Sequence, residues 1–382
     1  MSWKIFENAL VFQQNRFHKT SLVVHDNVIT MTGDLPADAE HIDCSGKRLI
    51  PGFLDIHTHG AAGCDFTYAK PEEIHRALRW YASKGITSVV PTIMTETIPC
   101  MTTALENIYQ AHKEQRNGAP GEARIIGARL EGPFLGKEKS GAHDPEKLLL
   151  PDAELLKQLF QISSGLLSIV DIDPTLPGAL DVIWQLRRQF VFSLAHTTCD
   201  YALAKEAFFA GAVNITHLFN GMNSLHHREP GLIGALSDFA EYGELIGDGI
   251  HVHPSVLRMI FAACPDKLVT ISDSMSATGL SDGKYKLGGR SVKVKDGCAT
   301  LTDGTLAGSV MNLTDSVYNL IACGVSPLHA FASVTTNAAA AVRLSKFHGS
   351  FQQGRSADFL VTNLDYQIEE IWMNGERAYP EN

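Results

Sequence analysis

The residues best suited to chemistry in this sequence stand in the stretch Leu49–Gly60, which reads LIPGFLDIHTHG. Its apolar run, with a Pro-Gly pair near the start, predicts a buried β-strand over Leu49–His57. Residues i and i+2 of a strand share a face, so His57 and His59 are expected to point the same way. Neutral imidazole is the commonest metal ligand in proteins, and the pair therefore predicts a metal site at the end of this strand.

Similar side chains stand at the ends of later predicted strands. Seven of the eight predicted strands end in His, Glu or Asp, at His57 and His59, Glu131, Asp171 and Asp173, His196, His217, His251 and Asp273. Four of these histidines and Glu131 suit one or two divalent ions such as zinc, iron, manganese or cobalt. A bound ion makes water more acidic, and Asp273 on the last strand is placed to move the proton of that water.

These side chains can meet only if the strands lie side by side. From residue 49 onward, strand-like and helix-like stretches alternate through eight units, which is typical of a parallel α/β fold. Eight units of this length predict a (β/α)₈ TIM-like barrel, which carries its active site at the C-terminal ends of the strands. A doubly wound open sheet is the alternative, but no GxGxxG follows the first strand.

Both ends of the chain contain short strand-like stretches without helical periodicity, and strands this short need partners to form a core. The second of these stretches includes Asn374-Gly375, a signal for a two-residue hairpin. We therefore predict a small β-sandwich domain from residues 1–48 plus 349–382, and a metal-dependent barrel domain over residues 49–348. Residues 285–302 read as a β-hairpin inserted after the eighth barrel strand.

Composition limits the partners of the protein. The 382-residue chain has a formal net charge of −10, which argues against nucleic acid and against anionic membrane surfaces. Its seven cysteines are scattered without a CxxC motif, so neither a disulfide framework nor a structural zinc site is expected. A signal-peptide pattern and an apolar stretch of bilayer length are both missing from the sequence. These features predict a cytoplasmic protein.

Several longer motifs follow the HxH pair in a fixed order. They are LEGPFL (130–135), SGAHDP (140–145), AHTT (195–198), THLFNGM (216–222), REPG (228–231), DGIH (248–251), SDSMSATG (272–279) and GTLAGS (304–309). Together with PGFLDIHTHG, this set resembles the amidohydrolase superfamily and, within it, the family of N-acetylglucosamine-6-phosphate deacetylases. HxH alone marks the superfamily, whereas LEGPF, HLFN, REPG and DGIH together are much more specific.

The resemblance implies a metal-dependent hydrolase that converts N-acetylglucosamine 6-phosphate to glucosamine 6-phosphate and acetate, in amino-sugar catabolism. The implied metal ligands are Glu131, His196 and His217 for the principal ion, and His57 and His59 for a second one. Glu131 would lie between the two ions. Asp273 would take a proton from the attacking water and give it to the leaving amine. His143 would donate a hydrogen bond to the acetyl oxygen as that oxygen gains charge.

The resemblance also implies a set of substrate-binding residues. They are Ala142, His143, Asn220, Gly221, Arg228, His251, Leu306, Ala307 and Gly308. Asn220 and Gly221 would offer backbone N–H groups to the phosphate. Arg228 would offer a guanidinium fork to the same group across a homodimer interface. His251 would contact the sugar hydroxyls.

Two other functions stay open at this point. Hydrolysis of a cyclic amide, as in dihydroorotase-like relatives, is disfavoured because no lysine in residues 166–173 can carry a bridging carbamate. A non-catalytic relative that serves as a binding or scaffold protein should have lost ligands, whereas this chain keeps all five and Asp273. Asp171 and Asp173 are expected to make loop hydrogen bonds rather than to act in catalysis.

Overall fold

The computed structural model describes residues 2–30, 36–115 and 121–380. Five strands come before the barrel: β1 (Trp3–Gln13), β2 (Arg16–His25), β3 (Val28–Thr30), β4 (Glu40–Asp43) and β5 (Arg48–Pro51). The barrel region contains β6 (Phe53–Thr58), β7 (Ile86–Met94), β8 (Arg124–Ile125), β9 (Ala128–Phe134), β10 (Leu167–Ile172), β11 (Val191–Leu194), β12 (Asn214–Ile215), β13 (Tyr242–Ile246) and β14 (Leu268–Ile271).

Six further strands follow: β15 (Gly283–Leu287), β16 (Arg290–Lys295), β17 (Cys298–Thr300), β18 (Phe359–Thr362), β19 (Ile368–Met373) and β20 (Glu376–Tyr379). The helices are α1 (Pro71–Ser83), α2 (Ile98–Gln115), α3 (Ala153–Ile162), α4 (Ala179–Leu186), α5 (Tyr201–Ala210), α6 (Gly231–Asp238), α7 (Pro254–Ala263), α8 (Leu313–Ala322), α9 (Pro327–Val334) and α10 (Thr336–Ala341). Over the described ranges, none of these helices is long and apolar enough to cross a membrane.

Eight parallel strands form the barrel in the order β6-β7-β9-β10-β11-β12-β13-β14, and β8 pairs with β7. Two backbone hydrogen bonds join its ends, from Asp273 N–H to the His57 carbonyl (3.0 Å) and from His59 N–H to the Ser274 carbonyl (2.8 Å). The helices bury one apolar stripe each against this barrel, as α1 does with Ile74, Ala77, Leu78 and Tyr81. The predicted (β/α)₈ fold is therefore confirmed.

Strands from both chain ends form a second sheet, in the order β20-β19-β18-β5-β1-β2-β3, with β4 paired to β1. Its own apolar core includes Phe6, Phe359 and Trp372, whose rings pack within 6 Å of one another. Asn374 and Gly375 both have positive φ, and Met373 pairs with Glu376. The two-residue hairpin predicted at this Asn-Gly pair is confirmed.

The strand predicted over Leu49–His57 is wrong in one respect, because two strands occupy that stretch. Strand β5 pairs with β1 and β18 in the terminal sheet, whereas β6 opens the barrel. The change of sheet occurs at Gly52, where a Cβ atom would lie 2.1 Å from the Thr87 hydroxyl. We keep the two-domain division as a proposal and place its first boundary at Gly52 rather than after residue 48.

Two other predicted elements need correction. The segment 285–302 is a three-stranded antiparallel sheet rather than a hairpin, because β17 adds to β16 through a second tight turn at Asp296-Gly297. Strand β13 ends at Ile246, so His251 lies on a loop and not at a strand end. All seven cysteines lie in the described ranges and are free thiols, as expected.

Candidate metal centre and active site

The site is built at the C-terminal ends of the barrel strands. Glu131 lies within β9, whereas His196, His217 and Asp273 each stand two residues beyond the end of a strand. These three residues have φ angles of +44°, +27° and +47°. Left-handed backbone is uncommon outside glycine and concentrates at functional sites, where surrounding structure holds it in place. The backbone turns sharply at each of these points.

Glu131 is the centre of the site. Its Oε1 lies 3.1 Å from His196 Nε2 and 3.0 Å from His217 Nε2, and these two nitrogens are 3.1 Å apart. Its Oε2 lies 3.0 Å from His59 Nε2, and its Oε1 lies 3.7 Å from His57 Nε2. The carboxylate thus stands between the two histidine pairs.

The donor atoms fit a divalent cation. His57 Nε2 and His59 Nδ1 are buried without a hydrogen-bond partner among the described residues. Burial and the Arg129 charge lower the pKa of His57, but Glu131 and Glu244 outweigh them and raise it to about 10. The pocket therefore favours positive charge strongly, and its imidazole and carboxylate donors are those that zinc, iron, manganese and cobalt accept.

Asp273 lies at the edge of the same cluster. Its Oδ1 is 3.3 Å from His59 Nε2 and 3.6 Å from His57 Nε2. Burial raises the pKa of Asp273, but the hydrogen bond from His59 and the charges of both histidines outweigh it and lower the pKa to about 2. At neutral pH the residue is therefore a carboxylate that can accept a proton.

His143 also contacts Glu131, with its Nε2 3.3 Å from Glu131 Oε2. Burial lowers the pKa of His143 to about 4, so the ring is neutral at physiological pH. The Thr95 N–H donates to His143 Nδ1 (3.4 Å), which leaves the ring hydrogen on Nε2. His143 also lies within ligand distance of Glu131 and His196, but a protonated Nε2 is a hydrogen-bond donor and not a metal ligand.

A cavity of about 230 Å³ opens above these groups. Twelve of the predicted site residues line it: His59, Glu131, Ala142, His143, His196, His217, Asn220, Gly221, His251, Asp273, Leu306 and Gly308. His57 lies beneath the cavity and is fully buried, and Ala307 is buried behind its wall. Arg228 is exposed and lines a neighbouring cleft with His226 and Glu229. Sequence reasoning missed the lining residues Met94, Leu287 and Thr305.

The loops that carry the substrate-binding candidates are held by their own hydrogen bonds. Asp248 Oδ2 lies 2.7 Å from His251 Nδ1, so the first residue of the DGIH motif orients the last. The Asn220 N–H donates to the His217 carbonyl (3.0 Å). That bond engages one of the two N–H groups predicted for the phosphate and leaves Gly221 as the better candidate.

Comparison with known proteins fits this geometry. A family model described as "Amidohydrolase family" matches residues 48–379, which is most of the chain. The chain belongs to the amidohydrolase family. Its members are metal-dependent, and this chain has His and Glu groups that could hold a metal. The resemblance seen in the sequence motifs is confirmed.

Among curated relatives of this amidohydrolase, an N-acetylgalactosamine-6-phosphate deacetylase from Escherichia coli O157:H7 is 33% identical over 360 residues, or 94% of each chain. An N-acetylglucosamine-6-phosphate deacetylase from Bacillus subtilis is 36% identical, covering 87% of this chain and 84% of the relative. A solved mutant N-acetyl-D-glucosamine-6-phosphate deacetylase from Mycobacterium smegmatis, in complex with N-acetyl-D-glucosamine-6-phosphate, is 29% identical with a TM-score of 0.89, covering 99% of this chain and 100% of that one.

Beneath the candidate metal ligands of this amidohydrolase lies a buried network of ion pairs that the sequence did not reveal. Arg129 on β9 is fully buried and bonds to Asp171 on β10 through Nε (2.8 Å) and Nη2 (2.7 Å). Its Nη1 bonds to Glu244 on β13 (2.5 Å), and Glu244 Oε2 lies 3.1 Å from His57 Nδ1. Asp171 is therefore an ion-pair partner in the barrel interior, so the expected loop role is wrong for it. Asp173 does bond to a loop, accepting from Thr175 N–H.

Glu244 determines which nitrogen of His57 faces the ion site. A carboxylate at Nδ1 holds the ring hydrogen there, so Nε2, which faces Glu131, is the nitrogen that would give up its proton to an ion. Arg129 supplies the charge that keeps Glu244 ionised in the barrel interior, because burial alone would raise the pKa of that carboxyl and Arg129 lowers it. The only sequence signal for this network is Arg129, a charged residue within a barrel strand, and it does not identify Asp171 or Glu244 as its partners.

We predict that Glu244→Gln weakens metal binding by about 10- to 100-fold, since loss of such a supporting carboxylate has an effect of this size. The measurement is the dissociation constant of the ion, by titration of the metal-depleted protein with zinc. Glu241→Gln, on the exposed start of the same region, is the matched control. Unchanged metal affinity in a folded Glu244→Gln variant would contradict the role assigned to Glu244.

Proposed function

We propose that this amidohydrolase hydrolyses the acetamide of N-acetylglucosamine 6-phosphate to glucosamine 6-phosphate and acetate. The observation that carries the proposal is the placement of Glu131 between two histidine pairs, with Asp273 and neutral His143 beside it on one cavity. Relatives at 34% and 36% identity named N-acetylglucosamine-6-phosphate deacetylase support the substrate. A cytoplasmic location agrees with a phosphorylated substrate and stays a prediction.

The residues that would hold divalent ions are Glu131, His196 and His217 for one site, and His57, His59 and Glu131 for a second. We propose one or two ions per chain, of zinc, iron, manganese or cobalt, because the donor set suits each of these metals. When bound, an ion of this kind polarises an amide carbonyl and makes water more acidic. Buried histidines with a ring nitrogen facing Glu131 supply the required donors.

Asp273 would move the proton in this reaction. Its carboxylate, already ionised, accepts a proton as water adds to the acetyl carbon. The same proton then passes to the sugar nitrogen as the C–N bond breaks, so that acetate and an amine leave. One carboxylate can serve as base and then as acid, because it takes a proton from water in the first step and gives that proton to the sugar nitrogen in the second.

His143 would stabilise the acetyl oxygen while it carries negative charge. The neutral ring keeps its hydrogen on Nε2 and faces the cavity near Glu131. A fixed donor in a buried site acts without reorganising water, which is why such donors contribute strongly to amide hydrolysis. Apolar Met94, Leu287 and Leu306 line the same cavity and would surround the acetyl methyl group.

The proposed phosphate site combines Gly221 and Asn220 with Arg228 of a second copy of this chain. Arg228 is exposed and lies outside the cavity of its own chain, with Nη1 2.7 Å from His227 Nε2. An exposed arginine on the loop that also carries Asn220 can serve a neighbouring chain in a homodimer. His251 would contact the sugar hydroxyls, with Asp248 holding its ring.

For Arg228→Met we predict a rise in KM for the phosphorylated substrate of about 10- to 100-fold, the effect of losing a charge-assisted hydrogen bond. The unphosphorylated sugar should be turned over unchanged, because it has no group for Arg228. Arg188→Met, at another exposed arginine, is the control. Sedimentation should find a dimer, and a monomer with an unchanged KM would contradict the shared site.

The deciding assay measures acetate release from N-acetylglucosamine 6-phosphate, its unphosphorylated form and N-acetylgalactosamine 6-phosphate, with metal content determined on the same sample. The galactosamine epimer is the second candidate substrate, because a relative named for it matches 94% of the chain. Strong preference for one phosphorylated epimer would support that substrate. A fully metallated protein that releases no acetate from any of them would overturn the proposed function.

A further inference from the structure

The inserted sheet reaches across the cavity to the loop that carries His143. Strands β15 and β16 join through Gly288-Gly289, both with left-handed φ, in the two-residue turn that such a glycine pair favours. This turn packs on the barrel: the Gly288 N–H lies 3.3 Å from Asp65 Oδ2. A Cβ at Gly289 would come 2.8 Å from the Tyr68 hydroxyl, so the contact is close.

Arg290 follows the turn and faces the loop of residues 141–143. Its Nη1 lies 3.5 Å from the Gly141 carbonyl, 3.4 Å from that of Ala142 and 3.2 Å from that of His143. Three successive carbonyls thus converge on one guanidinium nitrogen. A cationic donor strengthens each of these bonds relative to a neutral one.

The loop lies outside the barrel strands and takes its shape from hydrogen bonds such as these. His143 stands between the end of β9 at Phe134 and the start of α3 at Ala153, in a segment with one short 3₁₀ turn at Lys137–Lys139. Within the loop, the His143 N–H donates to the Ser140 carbonyl (2.9 Å). The His143 ring contacts Thr95 through Nδ1 and Glu131 through Nε2. A shift of the loop backbone would therefore change both contacts and displace Nε2.

We propose that Arg290 is a positioning residue for His143, which acts by holding the three carbonyls of its loop. The inference rests on the proposed deacetylation and assigns to the inserted sheet the placement of the oxyanion donor. Leu287, which pairs with Arg290 across the turn, lines the cavity, so one hairpin both walls the site and fixes its hydrogen-bond donor. A misplacement of about 1 Å in such a group can lower a rate by roughly 100-fold.

The test compares Arg290→Met and Arg290→Lys with Lys293→Met, an exposed control on the same strand. Arg290→Met should lower kcat by about 10- to 100-fold with metal content unchanged, and Arg290→Lys should recover part of the loss. The fall should be equal for phosphorylated and unphosphorylated substrates. A rise in KM confined to the phosphorylated substrate would assign Arg290 to phosphate binding and overturn the proposal.

A double-mutant cycle separates positioning from a general structural effect. If Arg290 acts through His143, Arg290→Met should cost little further activity in the His143→Gln background, because the donor is already gone. Additive losses would overturn the proposal, and Arg290→Lys allows the same cycle if the Met variant does not fold. A wild-type protein without deacetylase activity would reject the proposed function, whereas an active wild type with a fully active Arg290→Met variant would reject only this inference.

Discussion

Replacing Asp273 with asparagine should lower kcat for acetate release by about 1,000-fold, within the range that general acid–base groups contribute. That factor corresponds to about 4 kcal/mol of activation free energy. Asparagine keeps the size of the side chain and its hydrogen-bonding oxygen, but it cannot take a proton at neutral pH. The side chain lies 3.3 Å from His59 Nε2, so the shape of the cluster should persist. Metal content should therefore stay close to that of the wild type.

The measurement pairs kcat with metal analysis on the same preparation. Asp266→Asn, at an exposed aspartate just before β14 and so at the opposite end of that strand from Asp273, is the matched control and should retain full activity. If Asp273→Asn lost its metal, the residue would be a ligand rather than a proton carrier. A variant that lost metal and kept activity would contradict the whole metal-dependent mechanism.

The parts of the site that could be predicted are those in which local pattern and chemistry coincide. His57 and His59 follow an apolar strand at a spacing that only a strand places on one face, and the β/α alternation puts Glu131, His196, His217 and Asp273 at one end of a barrel. These residues lie on the same side because the strands are parallel, so that all their C-terminal ends face one side of the barrel. Fold class alone therefore predicts that these side chains lie at one end of the barrel.

Contacts between distant side chains could not be predicted in this way. Arg129 reads as a stray charge in a strand, and its partners Asp171 and Glu244 lie 42 and 115 residues away. Which strand faces which across the barrel interior depends on the tilt and register of all eight strands. The left-handed backbone at His217 is likewise invisible in the sequence, because histidine is enriched in that conformation but adopts it at only a minority of positions.

The inserted sheet shows the same limit at the level of whole elements. A hairpin was predictable from residues 285–302, but nothing in those residues indicates that its turn packs on Asp65 and Tyr68. The amino-acid sequence around Leu287 and Arg290 therefore does not indicate that either residue has a function. Similarly, β5 and β6 read as one apolar run, and the approach of Thr87 that leaves no room for a side chain at Gly52, where the chain changes sheet, is visible only in the structure.

Replacing His143 with glutamine should lower kcat by about 100- to 1,000-fold, the usual effect of removing one oxyanion donor. Glutamine reaches about as far as histidine, but its side chain is flexible, so its amide would not hold an N–H at the position of Nε2. Metal content should not change, because the Thr95 N–H occupies Nδ1 and leaves Nε2 protonated. His18→Gln, at an exposed histidine, is the control for a histidine-to-glutamine change as such.

The competing interpretation makes His143 a third nitrogen ligand, since it lies within ligand distance of Glu131 and His196. Under that interpretation His143→Gln would lose metal as His217→Gln does, and added zinc would restore part of its activity. Under the donor interpretation, His217→Gln loses metal and His143→Gln does not, and added zinc restores nothing to the latter. The Thr95 N–H at Nδ1 favours the donor, because in the neutral ring it leaves the hydrogen on Nε2, where it can be offered to the acetyl oxygen.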